Sequence, residues 1–189
     1  MKPWSVDRSE LIYDRPPWLR LWEQDVTLPT GTMITNYVIM ERRDAALVFA
    51  VTTSNMVVLT EQYRHGIGMA EMGLPAGFLD EADASPADCA KRELLEETGY
   101  ASDDWMSLGN FAVDPNRSPA RYHYFLARYC RLVTERELEP AEMDSVLHLV
   151  SLDDLCDWHT WRKRHQPNMP TVMGLMLGLR EVCGGQERA

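Results

Sequence analysis

The sequence predicts an α/β fold: a mixed sheet sandwiched between helices, an α/β/α arrangement, preceded by an N-terminal β-hairpin extension. Three observations carry this. Short β-prone runs recur from residue 45 onward. Strong helix signals fall only in the middle and at the end of the chain. Residues 1–44 differ in texture from the rest, interrupted by Pro3, Pro16, Pro17 and Pro29. The 189 residues suit one domain, residues 45–189, with that extension ahead of it.

Taken in order, Trp22–Thr27 reads as a strand, Leu28–Gly31 as a turn and Met33–Met40 as a second strand. Such a hairpin has little core of its own and must pack on the main domain or on another copy of the chain. Trp4, Trp18 and Trp22 are most simply packing residues, with stacking on a flat ligand such as a nucleobase as the minor alternative. Ala45–Thr52 and Met56–Gln62 are strands joined by a tight turn at Ser54-Asn55. Arg64 follows the second strand, where it can reach a phosphate. His65–Gly68 is a loop, and Leu74–Gly77 leads into a helix.

That helix is bracketed by Ser85 as N-cap, Pro86 at the first helical position, Asp88 three residues past the cap, and Gly99 at the C-terminal end. Ala87, Ala90 and Leu94 form a face suited to packing on a sheet. Glu93, Glu96 and Glu97 form another, with Arg92 one turn from Glu96. Adjacent like charges on a helix cost a few tenths of a kcal/mol per pair, and a hard divalent cation would offset them. Taken alone, three glutamates read first as a solvated acidic face.

Downstream, Trp105–Asn110 reads as a strand, Asp114–Ala120 as a loop flanked by Arg117 and Arg121, and Tyr122–Tyr129 as a strand. Thr134–Asp144 has no apolar stripe and reads as an exposed acidic loop. Val146–Val150 is a last strand. Ser151 caps a helix holding Leu152, Leu155 and Trp158. Pro170 opens a terminal helix whose stripe is Val172, Leu175, Met176 and Leu179.

Composition narrows the function. A net charge of −10 argues against a nucleic-acid partner, whose phosphates are bound by Lys and Arg. No run of about 20 apolar residues marks a membrane span, and the N-terminus lacks a signal peptide's apolar core. Four scattered cysteines without a CxxC pair point to reduced thiols in a cytoplasm rather than zinc or disulfides. Cys130 reads as a buried small hydrophobe rather than a nucleophile.

The stretch Gly77–Tyr100, GFLDEADASPADCAKRELLEETGY, resembles the Nudix box, and RELLEETGY from Arg92 to Tyr100 fills the second half of that signature at every specified position. The first half carries one extra residue: fifteen steps separate Gly77 from Arg92 where the signature has fourteen. Asp83 holds the place of the outer acid counted from Gly77, and Ala84 holds it counted from Arg92. The insertion is expected to be absorbed before Pro86. EQYRHG, LPAGFLDE, DPNRSPARYHYFLA and Pro115 beyond the box resemble the ADP-ribose pyrophosphatase branch of the family.

The resemblance implies a Nudix-type fold and Mg²⁺-dependent hydrolysis (Mn²⁺ as the alternative) of a pyrophosphate, in ADP-ribose or a related nucleoside diphosphate sugar. It implies Ala76 (through its carbonyl), Glu93, Glu96 and Glu97 as metal ligands, with Arg92 orienting the glutamates. Glu96 is implied as a bridging, catalytic carboxylate. It implies Glu142 as general base, with Asp144 second, and Arg64, Arg117 and Arg121 as substrate contacts. Gly73 stands where the branch often has a glutamate, and Ala120 and Arg121 where it often has an acid, which leaves other sugar nucleotides open. A homodimer that swaps residues 1–44 is also implied. The alternatives are a Nudix hydrolase for another nucleoside diphosphate-linked compound and a nucleotide-sensing Nudix domain without turnover.

Overall fold

The computed structural model describes residues 1–157, 161, 165 and 167–184. Eleven strands and three helices follow one another among them. They are β1 (Ser5–Arg15), β2 (Leu19–Thr27), β3 (Met33–Glu41), β4 (Ala45–Thr52), β5 (Met56–Arg64), β6 (Met69–Gly73) and β7 (Ala76–Phe78). Then come α1 (Pro86–Thr98), β8 (Tyr100–Ala101), β9 (Asp104–Ala112), β10 (Arg121–Leu132), β11 (Val146–Ser151), α2 (Leu152–Cys156) and α3 (Met169–Cys183). Two compact units result: Met1–Asp44 with Phe111–Tyr122, and Ala45–Asn110 with His123–Ala189.

The first unit contains a three-stranded antiparallel sheet, β1-β2-β3. The hairpin expected within residues 1–44 is therefore one strand short. β1 was not foreseen because all eleven of its residues are exposed, so it carries no alternation for a core to impose. It is held by its ladder to β2 and by surface ion pairs across it, Arg8 to Glu23 and Asp25. Tyr37 gathers the rest of the unit. Its ring lies under the Arg117 guanidinium, 4.4 Å from centroid to Cζ, and Trp4 meets it edge-on at 5.9 Å. Its hydroxyl donates to the Asn116 carbonyl.

In the second unit an eight-stranded sheet runs β11-β5-β4-β10-β8, with β6 beside β5, β7 beside β4 and β9 beside β10. β4 is buried along its whole length, as a near-continuous apolar run predicts for a strand covered on both faces. On one face Ala46, Val48 and Ala50 join Val58, Phe125 and Ala127 against Cys89, Ala90 and Leu94 of α1. On the other, the Phe49 ring lies against α3, close enough that a Cβ on Gly178 would fall 2.2 Å from it. Helices thus cover both faces of the central strand.

α1 begins and ends at the expected caps. The Ser85 hydroxyl accepts from the Asp88 N–H, Pro86 opens the helix, and Gly99 closes it at φ 75°. α3 departs from expectation. Its N-cap is Asn168, and its buried face is Thr171, Gly174, Leu175 and Gly178, whereas Met176 is exposed and Val172 and Leu179 are half-buried. Bulky apolar residues stand out in a sequence, and a buried glycine does not. A Cβ at position 174 would meet Leu74 at 2.3 Å, so here the small residues mark the contact face. β6, β7 and β8 were also missed, being short strands of five, three and two residues. In α2, Ser151 caps and Leu155 is buried as expected, while Trp158 lies outside the described residues.

Candidate active site

The site is built where β7 meets α1. Gly77 lets the strand approach the helix so closely that a Cβ there would lie 2.0 Å from Oε1 of Glu93. The glutamate carboxylate occupies the space any other residue would fill. One step earlier, the Ala76 N–H donates to Oε2 of Glu97 at 3.1 Å. Glu93 and Glu97 are buried, at 9% and 6% exposure. Burial pushes the Glu93 carboxyl up to about 7 against the opposing pull of Arg92, and the Glu96 and Glu142 carboxylates add to the rise. Glu97 is held well above its usual range by burial first, then by Glu142 and Glu93.

Arg92 organises the flank. It grips Asp83 with two hydrogen bonds, Nε to Oδ1 at 3.1 Å and Nη2 to Oδ2 at 2.9 Å. Its Nη1 donates to Glu93 at 2.7 Å and to Glu96 at 3.0 Å, and Nη2 reaches the Phe78 carbonyl at 3.4 Å. The Asp83 hydrogen bonds hold the guanidinium above its ordinary value and hold Asp83 down to about 2. The outer acid is therefore Asp83, in register with Gly77, and Ala84 is excluded from that place by chemistry. Between Gly77 and the helix the chain makes a turn in which the Asp83 N–H donates to the Asp80 carbonyl at 3.1 Å, and Pro86 then begins the helix.

Glu96 differs from its two neighbours. Its side chain is 40% exposed, and it lines a cavity of about 330 Å³ with Arg92, Leu95 and residues of the acidic loop.

The acidic loop Thr134–Asp144 has neither helix nor strand, as expected, but it is firmly attached to α1. Arg136 donates from Nε to the Glu97 carbonyl at 2.6 Å and from Nη1 to the Ser145 carbonyl at 3.0 Å. The Glu137 N–H donates to the Glu96 carbonyl at 2.9 Å. The bonds to Glu97 and Glu96 serve helix-terminal carbonyls that α1 itself leaves unpaired. Gln62 on β5 holds the far side of the loop, donating to the Ala141 carbonyl at 2.9 Å. The loop so anchored presents Glu142, half-buried, to the glutamate pair, and its charge raises both carboxyls. Asp144 is exposed. Arg136 and Gln62 were not singled out from sequence. The available signal was a lone cation inside TERELEPAEMD, a run with no other positive charge.

Arg64 is the last residue of β5, and its positive charge favours the ionised form of Glu97. Glu93, Glu97, Ala76, Arg92, Glu142 and Arg64 are thus brought together. Arg117 and Arg121 belong to the first unit. There Arg117 stacks on Tyr37 and donates to the Val38 carbonyl at 3.3 Å, and the Arg121 N–H donates to Asp44 at 2.9 Å. Cys130 is buried, and its thiol is pushed up to about 11, which fits a small hydrophobe.

Among the described residues no three acidic, histidine or cysteine side chains converge as a ready-made metal cluster. The groups at hand are still suited to a hard cation. Glu97 accepts from Ala76 and has no salt bridge among the described residues, and two buried carboxylates with raised protonation are what a divalent ion would satisfy.

Comparison with known proteins agrees with the box. The NUDIX domain family matches residues 41–172. The ADP-ribose pyrophosphatase of Bacillus subtilis (strain 168) is 32% identical over 135 residues, 71% of each chain. The ADP-ribose pyrophosphatase of Mycobacterium tuberculosis is 32% identical over 67% of this chain and 61% of its own length. The GDP-mannose pyrophosphatase of Pectobacterium atrosepticum is 33% identical over 67% of this chain and 69% of its own. A crystal structure of an ADP compounds hydrolase superposes with a TM-score of 0.81 at 19% identity, covering 100% of this chain and 98% of that one, which extends the fold likeness to the N-terminal sheet. On the family match and these identities, the chain belongs to the Nudix hydrolase family.

Proposed function

We propose that the protein hydrolyses the pyrophosphate bond of a nucleoside diphosphate sugar, ADP-ribose foremost, with Mg²⁺ held by Glu93, Glu97 and the Ala76 carbonyl. Glu96 stands beside them as a further ligand. The observation that carries this reading is the burial of Glu93 and Glu97 at the close approach of Gly77, with Glu142 facing them. When bound, the cation would neutralise phosphate charge and acidify a water. Glu142 would take that water's proton as general base. Arg64 carries the positive charge that would meet a phosphate oxygen. Arg92 is a positioning residue, fixing Glu93 and Glu96 through Asp83. Mn²⁺ would serve the same oxygen set.

The named substrates of the relatives supply the candidates, ADP-ribose and GDP-mannose. Arg117 and Arg121 are proposed substrate contacts on resemblance alone. A homodimer is proposed from the apolar side chains that the first unit exposes, Trp4 at 47%, Ile12 at 47% and Tyr13 at 44%. Among the described residues no helix is long and apolar enough to cross a membrane. The four free cysteines support the proposal of a cytoplasmic setting.

Incubation of the purified chain with Mg²⁺ and a panel of nucleoside diphosphate sugars tests the reading. ADP-ribose should yield AMP and ribose 5-phosphate. Preference for GDP-mannose would move the substrate within the class, and binding without cleavage of any panel member would replace turnover by sensing. Sedimentation of the same sample checks the dimer.

A further inference from the structure

α2 and α3 each contribute one cysteine to a contact that the candidate site does not use. Cys156 ends α2, Cys183 ends α3, and their sulfurs lie 3.7 Å apart although the residues are 27 positions apart in the chain. Cys156 is exposed and Cys183 half-buried, so an oxidant can enter at Cys156 and find the second thiol already in contact. The other two cysteines do not compete. Cys89 and Cys130 are buried, and their thiols are pushed up to about 12 and about 11 by burial.

We propose that Cys156 and Cys183 form a reversible dithiol–disulfide site that takes oxidising equivalents from glutathione disulfide. The Cys156 thiolate attacks one sulfur of glutathione disulfide, forming a mixed disulfide and releasing one glutathione thiolate, which takes up a proton. Cys183 then loses its proton and attacks the Cys156 sulfur, forming the Cys156–Cys183 bond and expelling the second glutathione. Two thiol hydrogens leave the protein, and two electrons reduce glutathione disulfide to two glutathione thiols. A neighbouring thiol in contact favours this resolution over a lasting glutathione adduct, because the second attack is intramolecular.

The bond would tie the C-terminal end of α3 to α2. Gly174 of that helix lies against Leu74, two residues before Ala76, so the helix backs the segment that enters the candidate site. Closing a ring of this length removes freedom from the unfolded chain, and a Tm increase of about 5 °C is expected.

The test uses the full chain, fully reduced and then exposed to glutathione disulfide. Titratable thiols should fall from four to two, the chain should remain single on a non-reducing gel, and a non-reducing peptide map should join Cys156 to Cys183. The Tm increase should vanish with dithiothreitol and be absent in Cys183→Ser, whose Cys156 should instead keep glutathione. Four thiols remaining, a bond between chains, a bond to Cys89 or Cys130, or the same Tm increase in Cys183→Ser would each overturn the proposal.

Discussion

The N-terminal sheet and the carboxylate helix are both rich in charge, and they use it in opposite ways. β1 displays Arg8, Glu10 and their partners on an exposed strand, with side chains 45% and 57% exposed for Arg8 and Glu10. Such pairs contribute little, because water screens them and the long side chains lose freedom in meeting. α1 instead buries two carboxylates, spends one arginine on three acids and draws a second arginine from a distant loop. Identical residue types therefore make a solvated face in one place and a buried, tightly bonded carboxylate cluster in the other. Burial decides which.

The contrast can be broken first at Glu97. Replacing it by Gln removes the charge and keeps the shape, so turnover should fall by about 1000-fold or more, equivalent to about 4 kcal/mol of lost transition-state stabilisation. The Mg²⁺-dependent Tm increase expected of the wild-type chain should shrink with it. Full activity in Glu97→Gln would place the acidic face of α1 in the same class as β1.

Arg92→Ala ranks next. It leaves Asp83 and Glu93 without their cation, and unpairing buried charge is costly; with 30% of the Arg92 side chain exposed the loss should be about 3 kcal/mol in urea unfolding. Gly178→Ala probes the packing behind the sheet. The new Cβ would meet the Phe49 ring at 2.2 Å, and overpacking of about 2 kcal/mol is expected with no direct contact to the site.

Acid sharpens the comparison further. Asp83 is held down to about 2, below its usual 3.8, by Arg92. A lowered carboxyl contributes stability that is fully present above 3.8 and is lost as pH falls through about 2. Asp83→Asn should therefore flatten the acid limb of the stability curve in that window and leave neutral pH dependence alone. The smallest effect belongs to β1: Arg8→Ala should leave the thermal melting curve nearly unchanged at both low and high salt.

The helix of the site was legible because its signals are local. Ser85, Pro86 and Gly99 mark its ends without help from the rest of the chain, and Glu93 and Glu97 fall one turn apart by helical geometry alone. The terminal helix was legible as a helix but not as a surface, since Gly174 and Gly178 earn their place only from the neighbours they admit. β1 was invisible because an exposed strand leaves no hydrophobic period behind it.

By itself, then, the sequence determined which residues could share a face and where the helix that presents them begins and ends. Tertiary structure alone decided that two of the three glutamates are buried and the third is not, that Gly77 yields its side-chain space to Glu93, and that Arg136 and Gln62 hold the loop carrying Glu142 against them. Helical spacing is a property of one segment, whereas burial and charge coupling arise only when strands and loops distant in sequence close around it.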